Sequence, residues 1–207
     1  MNNRFLLILL SVAMLAACAN LTQAPTAEEV ASGFQEAYGA FDEERAITYL
    51  AEDADIRGLI GSVNPGQMEG TLDEFRLLVA WLKAMGYKQV LHPCEELVSS
   101  SPDTKLRCTF DFHGIRSDEV GLGPYTGSYF TFTIQDGKII EASKHFGTEE
   151  FSGQMWEPFS SWVFETYPED ASAMYRSSGA GARLTEESVR LWELHSQEYV
   201  ELETPDS

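Results

Sequence analysis

Two cysteines, Cys94 and Cys108, sit in segments whose spacing permits a covalent bond between them. Residues 104–112 alternate strictly. Thr104, Leu106, Cys108, Phe110 and Phe112 fall on one face, and Lys105, Arg107, Thr109 and Asp111 on the other, as in a half-buried strand. Upstream, Val90, His92, Cys94, Glu96 and Val98 share a face, and Ser99-Ser100-Ser101-Pro102-Asp103 is turn material. A hairpin folded about Ser101 sets Cys94 opposite Cys108, Val90 opposite Phe112 and His92 opposite Phe110. Cβ atoms of a directly opposed pair are close enough to bridge, and closing a loop of about 15 residues stabilises by on the order of 3 kcal/mol. A disulfide is therefore expected, with two buried free thiols as the alternative. No His or Cys cluster at ligand spacing accompanies the pair, so no metal is expected.

Other chemistry is not announced by motifs. The chain has no nucleophile elbow, no Gly-rich phosphate loop, no metalloprotease helix motif and no acidic run spaced like a calcium loop. Gly121-Leu122-Gly123 alone carries little weight. No cofactor is expected. With 33 acidic against 14 basic residues the formal net charge is −19. Such a surface repels nucleic acid and anionic lipid headgroups, which excludes nucleic acid as a partner.

The third cysteine, Cys18, follows a different kind of segment. Arg4 gives a short positive start, and residues 5–15 are apolar apart from Ser11. That run is too short for the roughly 20 residues a membrane-spanning helix needs, and it has the pattern of a secretory signal. Leu15-Ala16-Ala17-Cys18 resembles the bacterial lipobox. The resemblance implies cleavage before Cys18 and acyl chains on the cysteine, two or more of which anchor a protein stably where one does not. The expected location is extracytoplasmic, lipid-anchored to the cell membrane or the outer membrane. Cys94 and Cys108 then meet an oxidising compartment.

Those residues need elements to position them. Residues 1–17 read as the signal, 18–26 as the lipidated cysteine and tether, 27–150 as the main domain, 151–202 as an extension docked on it, and 203–207 as a disordered tail. Thr26-Ala27-Glu28-Glu29 and Thr71-Leu72-Asp73-Glu74 are capping boxes that open two amphipathic helices. Asp42 caps a short helix between them, carrying Ala46, Ile47 and Leu50. The Cys94–Cys108 hairpin follows, then a glycine-bearing link over 114–127, then a strand over 128–135. Asp136-Gly137 is a two-residue hairpin signal, and residues 138–146 form the returning strand. Three helices followed by a four-stranded antiparallel meander predict an α+β fold with helices packed on one face of a curved sheet. In the extension, Trp156, Trp162, Trp192 and Tyr199 are apolar enough to dock.

The order of elements, the acidic segment 42–54 and the hairpin Phe132-Thr133-Ile134-Gln135-Asp136-Gly137-Lys138-Ile139 resemble the NTF2-like (SnoaL-like) superfamily over about residues 27–150. The resemblance implies a cone, a bent sheet wrapped on a long helix, with an open mouth. It also implies that a small hydrophobic ligand could occupy the cone, or that sheets could pair in a homodimer. Many relatives carry an Asp shortly after the last strand, whereas this one ends His145-Phe146-Gly147-Thr148. Enzymes of this fold set a carboxylate or His with a Tyr in an apolar cavity. The corresponding candidate pocket residues are Tyr49, Asp53, His92, Phe110, Tyr129 and His145, none of them transferred from a family motif. The reading favours a non-catalytic binding or accessory protein, with a small hydrophobic ligand or an envelope protein as partner. The alternative is a ketosteroid-isomerase-like enzyme acting on a small hydrophobic substrate by general acid–base catalysis.

Overall fold

The structure is a computed structural model that describes residues 24–63, 69–100, 102–176 and 181–204. The signal segment, Cys18 and residues 205–207 lie outside the described residues. Helix α1 (Ala27–Gly39) begins at the Thr26 capping box, in which Glu29 N–H donates to Thr26 Oγ1 at 3.2 Å and Thr26 N–H donates to Glu29 Oε2 at 2.7 Å. It buries Val30, Phe34, Ala37 and Tyr38 against the sheet. Helix α2 (Glu43–Ile47) is capped by Asp42, and α4 (Leu72–Ala84) by the Thr71 box.

The sheet has five strands, one more than the meander predicted. They are β1 (Leu50–Ile56), β2 (Lys88–Ser100), β3 (Asp103–His113), β4 (Tyr125–Gln135) and β5 (Lys138–His145), in the order β1-β5-β4-β3-β2. The segment expected to continue α2 through Leu50 is instead β1, followed by the helical turn α3 (Arg57–Ile60). Strand β1 pairs parallel with β5 at the sheet edge. Only Leu50 and Ile56, its two ends, are buried, so no alternation marks it as a strand. Its partner also lies far along the chain. Asp136 and Gly137 both have positive φ (49° and 73°), as a type I′ turn requires between β4 and β5.

The disulfide joins Cys94 and Cys108, paired across β2 and β3 with Cα atoms 4.1 Å apart. Beyond it the register predicted for the hairpin fails. Leu91, not His92, faces Phe110, and Gln89, not Val90, faces Phe112. The slip falls at His92–Pro93, where proline offers no N–H to the ladder and the strand bulges. His92 is thereby turned outward, with Nε2 2.9 Å from Asp111 Oδ2, and Val90 is 51% exposed.

The C-terminal part runs through α5 (Glu149–Phe151), a π-helical turn (Ser152–Trp156), α6 (Glu157–Thr166), α7 (Pro168–Met174) and α8 (Glu186–Glu203). Thr185 caps α8, which extends one residue into the stretch expected to be tail. Helix α8 packs along α4. Trp192 meets Trp81 edge-on at 5.4 Å, and Ser196 Oγ donates to Ala84 O at 3.2 Å. His195, buried on α8, ties α7 to it. Its Nε2 lies 2.9 Å from Asp170 Oδ2 and its Nδ1 2.8 Å from Glu198 Oε2, with Tyr167 stacked on the ring at 4.3 Å. Among the described residues no helix is long and apolar enough to cross a membrane.

Candidate functional site

The inner faces of the strands are chiefly apolar and rich in rings, and one lysine lies among them. Phe110 and Phe112 of β3, Phe130 and Phe132 of β4 and Ala142 of β5 lie on the inner face and are buried, as strand parity dictates. The next inward position on β5 is Lys144. It is 6% exposed, and its amine lies within 5.0 Å of five ring centroids: Phe146 at 4.2 Å, Tyr87 at 4.3 Å, Tyr38 at 4.7 Å, Phe110 at 4.9 Å and Phe130 at 5.0 Å.

A buried lysine needs a partner or must give up its charge. Lys144 Nζ donates to Tyr87 Oη at 3.0 Å, Tyr87 donates to Gln89 Oε1 at 3.0 Å, and Gln89 Nε2 donates to Gln35 O on α1 at 2.8 Å. This relay fixes the head of the lysine across β5, β2 and α1. Burial pushes the Lys144 amine well below the ordinary lysine range. Burial likewise raises the Tyr87 phenol well above its ordinary value, with Tyr38 adding to the effect, and burial raises Tyr38 itself. Burial thus disfavours the charged forms of both the amine and the phenol that share this hydrogen bond. The five rings nevertheless attract positive charge, so the cage tolerates a transient ammonium.

A cavity of about 230 Å³ lies between the sheet, α4 and the start of the C-terminal helical part. Trp81 and Met85 of α4, Phe112 of β3, Phe146, Phe151 and Trp156 form most of its wall, so it is chiefly apolar and aromatic. Phe146 belongs to both sites, lining the cavity while its ring lies over the Lys144 amine. Trp81 Nε1 is buried and has no hydrogen-bond acceptor among the described residues.

The residues singled out from sequence are dispersed. Phe110 is in the cone and forms part of the lysine cage. Tyr49 lies against α1, close enough that a Cβ on Gly33 would come within 2.5 Å of its ring. Asp53 is exposed on the edge strand β1, and His92 is exposed beside Asp111. Tyr129 and His145 stack on each other at 4.8 Å on the outer face, with the Arg107 guanidinium 4.8 Å from the Tyr129 ring centroid. His145 also borders a surface recess shared with Tyr125, Glu149 and Glu150. The structure therefore brings Tyr129 and His145 together, but outside the cone, and does not bring the six together. Sequence reasoning passed over Lys144, Tyr87 and Tyr38. The available signal was parity, since Lys144 stands two residues from Ala142 on one face of β5 and two residues before Phe146. No set of three or more His, Cys, Asp and Glu residues arranged to hold a metal occurs among the described residues.

No protein-family model matches the chain, and no curated protein matches it. Several solved structures are similar to the chain at low identity. A Pseudomonas putida protein provisionally named a polyketide cyclase is 20% identical, with a TM-score of 0.44, covering 63% of this chain and 98% of its own. An NTF2-like protein of unknown function from Cytophaga hutchinsonii is 14% identical, with a TM-score of 0.41 and the same coverage. An LEH-like epoxide hydrolase of M. tuberculosis is 11% identical, with a TM-score of 0.41, over 67% of this chain and 96% of its own. The architecture is α+β, with helices packed on a five-stranded sheet in the order β1-β5-β4-β3-β2 and further helices at the C-terminus. No substrate or residue role is carried over from proteins so distant.

Proposed function

We propose that the chain is a lipid-anchored envelope protein whose cone mouth holds a small apolar molecule. The cavity walled by Trp81, Met85, Phe112, Phe146, Phe151 and Trp156 carries this reading. At about 230 Å³ it is smaller than the roughly 300–1,000 Å³ of sites for drug-sized ligands. It is larger than the ~150 Å³ apolar cavity that accommodates benzene. The ligand class is therefore a compact ring or a short hydrocarbon chain. Tethering through Cys18 rests on the signal-like run and on Leu15-Ala16-Ala17-Cys18, and it would keep the cavity close to a membrane where apolar molecules partition.

Two measurements test the reading. Native mass spectrometry of the protein purified gently from an oxidising compartment should show a retained small molecule. Toluene added to ligand-free protein should change the fluorescence of Trp81 and Trp156. Protein that carries nothing and does not respond to toluene would sink the ligand-binding reading. For the anchor, Cys18→Ser should move the protein from the membrane fraction to the soluble one, and unchanged membrane retention would refute the lipid tether.

A further inference from the structure

A binding cavity needs no amine behind its wall, yet this one has Lys144 beneath Phe146. Lysines are almost never fully buried without a charged partner, and none of the ion pairs among the described residues involves Lys144. Its only polar contact described is Tyr87 Oη. We infer that Lys144 is a reactive amine for a carbonyl compound, an aldehyde or ketone, held in the adjoining cavity, with Phe146 as the movable ring between ligand and nitrogen. This rests on the cavity holding a small apolar ligand.

The chemistry is that of an amine whose burial favours its neutral, nucleophilic form. The Nζ lone pair adds to the carbonyl carbon, and the π pair of the C=O bond moves to oxygen. That oxygen takes up the proton the nitrogen loses, and Tyr87 Oη, 3.0 Å from Nζ, is placed to relay it. The resulting carbinolamine expels its hydroxyl with the second N–H proton as one molecule of water, leaving a neutral imine. No oxidant or reductant is consumed. A carboxylate ligand fits this environment less well, because it requires the ammonium form and adds a second charge to a wall of rings. Phe146 follows the last residue of β5 and is only half-buried, so it is less constrained than the other four rings. Among surface lysines, with an ordinary value near ~10.4, only on the order of one in a few thousand is neutral at pH 7, so selectivity should be visible.

The test uses the full chain with its disulfide intact, benzaldehyde as probe and cyanoborohydride at pH 7 to trap the imine, followed by peptide mass mapping. The expected result is a benzyl group on Lys144 that forms at least about tenfold faster than on Lys83, Lys88, Lys105 or Lys138. Phe146→Ala should accelerate labelling of Lys144 but not of the surface lysines. Tyr87→Phe should slow it severalfold, and Lys144→Met should abolish it while leaving surface labelling unchanged. Wild-type labelling at Lys144 no faster than at the surface lysines overturns the inference, as does binding of benzoate in preference to benzaldehyde without an adduct. Toluene separates the two readings. Toluene bound with no Lys144 adduct leaves the cavity reading standing and removes the lysine chemistry, whereas no response to either probe removes both.

Discussion

Lys144 and His145 are adjacent on β5 and occupy different solvents. Lys144 points inward, is 6% exposed and is surrounded by five rings, and burial lowers the pKa of its amine. His145 points outward, is exposed and stacks on Tyr129 beside Arg107. On residue type alone the order would be reversed, since histidine is the usual acid–base group near neutral pH and lysine the usual surface charge. The pleat decides otherwise. Each step along a strand changes face, so one residue of register separates an interior site from a wetted surface.

If that division is real, disturbing the inner face should cost far more than disturbing the outer one. Phe130→Ala should have the largest effect. Its ring touches Tyr38 at 5.5 Å and Phe110 at 4.9 Å and forms one wall of the lysine cage, so truncation should destabilise by about 3–5 kcal/mol in urea unfolding. A loss below about 1 kcal/mol would mean the cone is loosely packed. The disulfide comes next. Cys108 is fully buried on the inner face and Cys94 lies just beyond the bulge that turns His92 outward. The double change Cys94→Ser with Cys108→Ser should cost about 3 kcal/mol, and reduction of the wild type should cost a similar amount. Reductant that leaves the unfolding midpoint unchanged would mean the bond is not formed in solution.

Much of the fold was legible because its signals are local. The capping boxes at Thr26 and Thr71, the Asp136-Gly137 turn, the alternation through β3 and the pairing of Cys94 with Cys108 each depend on residues close in sequence. What was missed depends on partners far along the chain. Strand β1 carries an acidic run with only its ends buried, and it becomes a strand by pairing with β5. The bulge at Pro93 reversed the face of His92, although the proline itself warned that the ladder would break there. The site was less legible than the fold because candidates were sought among His, Asp and Tyr, the residues that usually do chemistry. Lys144 carried only its parity, and its significance depends on Tyr38, Tyr87, Phe110, Phe130 and Phe146, which converge from three elements and from the residues just before β2 and just after β5.

The Lys144 environment also sets a pH dependence whose sign can be fixed. The folded amine has a pKa well below its ordinary value, while the unfolded chain has the ordinary value near ~10.4. Between the two, the unfolded chain binds a proton that the folded chain does not, so stability rises with pH across that window, by up to about 1.4 kcal/mol per unit. The contribution levels off above ~10.4, where both states are neutral, and below the folded pKa, where both are charged. Lys144→Met should remove this slope and raise stability at pH 7 by on the order of 1–3 kcal/mol, because a desolvated polar group is replaced by an apolar chain of similar length. Urea unfolding of both proteins from pH 6 to pH 9 checks it. Parallel pH profiles would show that Lys144 is charged when folded and that the cage stabilises the cation.

The smallest effect is expected one residue away. In His145→Ala the ring lost is exposed and makes its stacking contact with Tyr129 at the surface, so the change in stability should stay within about 0.5 kcal/mol. Benzaldehyde labelling of Lys144 should be unchanged, because His145 faces away from the cone. The control matters more than its size suggests. Suppose His145→Ala slowed labelling as strongly as Tyr87→Phe. The outer pair Tyr129–His145 would then be coupled to the amine through β5, and the two faces of the strand would form one functional unit. If labelling is unaffected, the chemistry is confined to the inner face, and the outer aromatic pair contributes only packing at the surface.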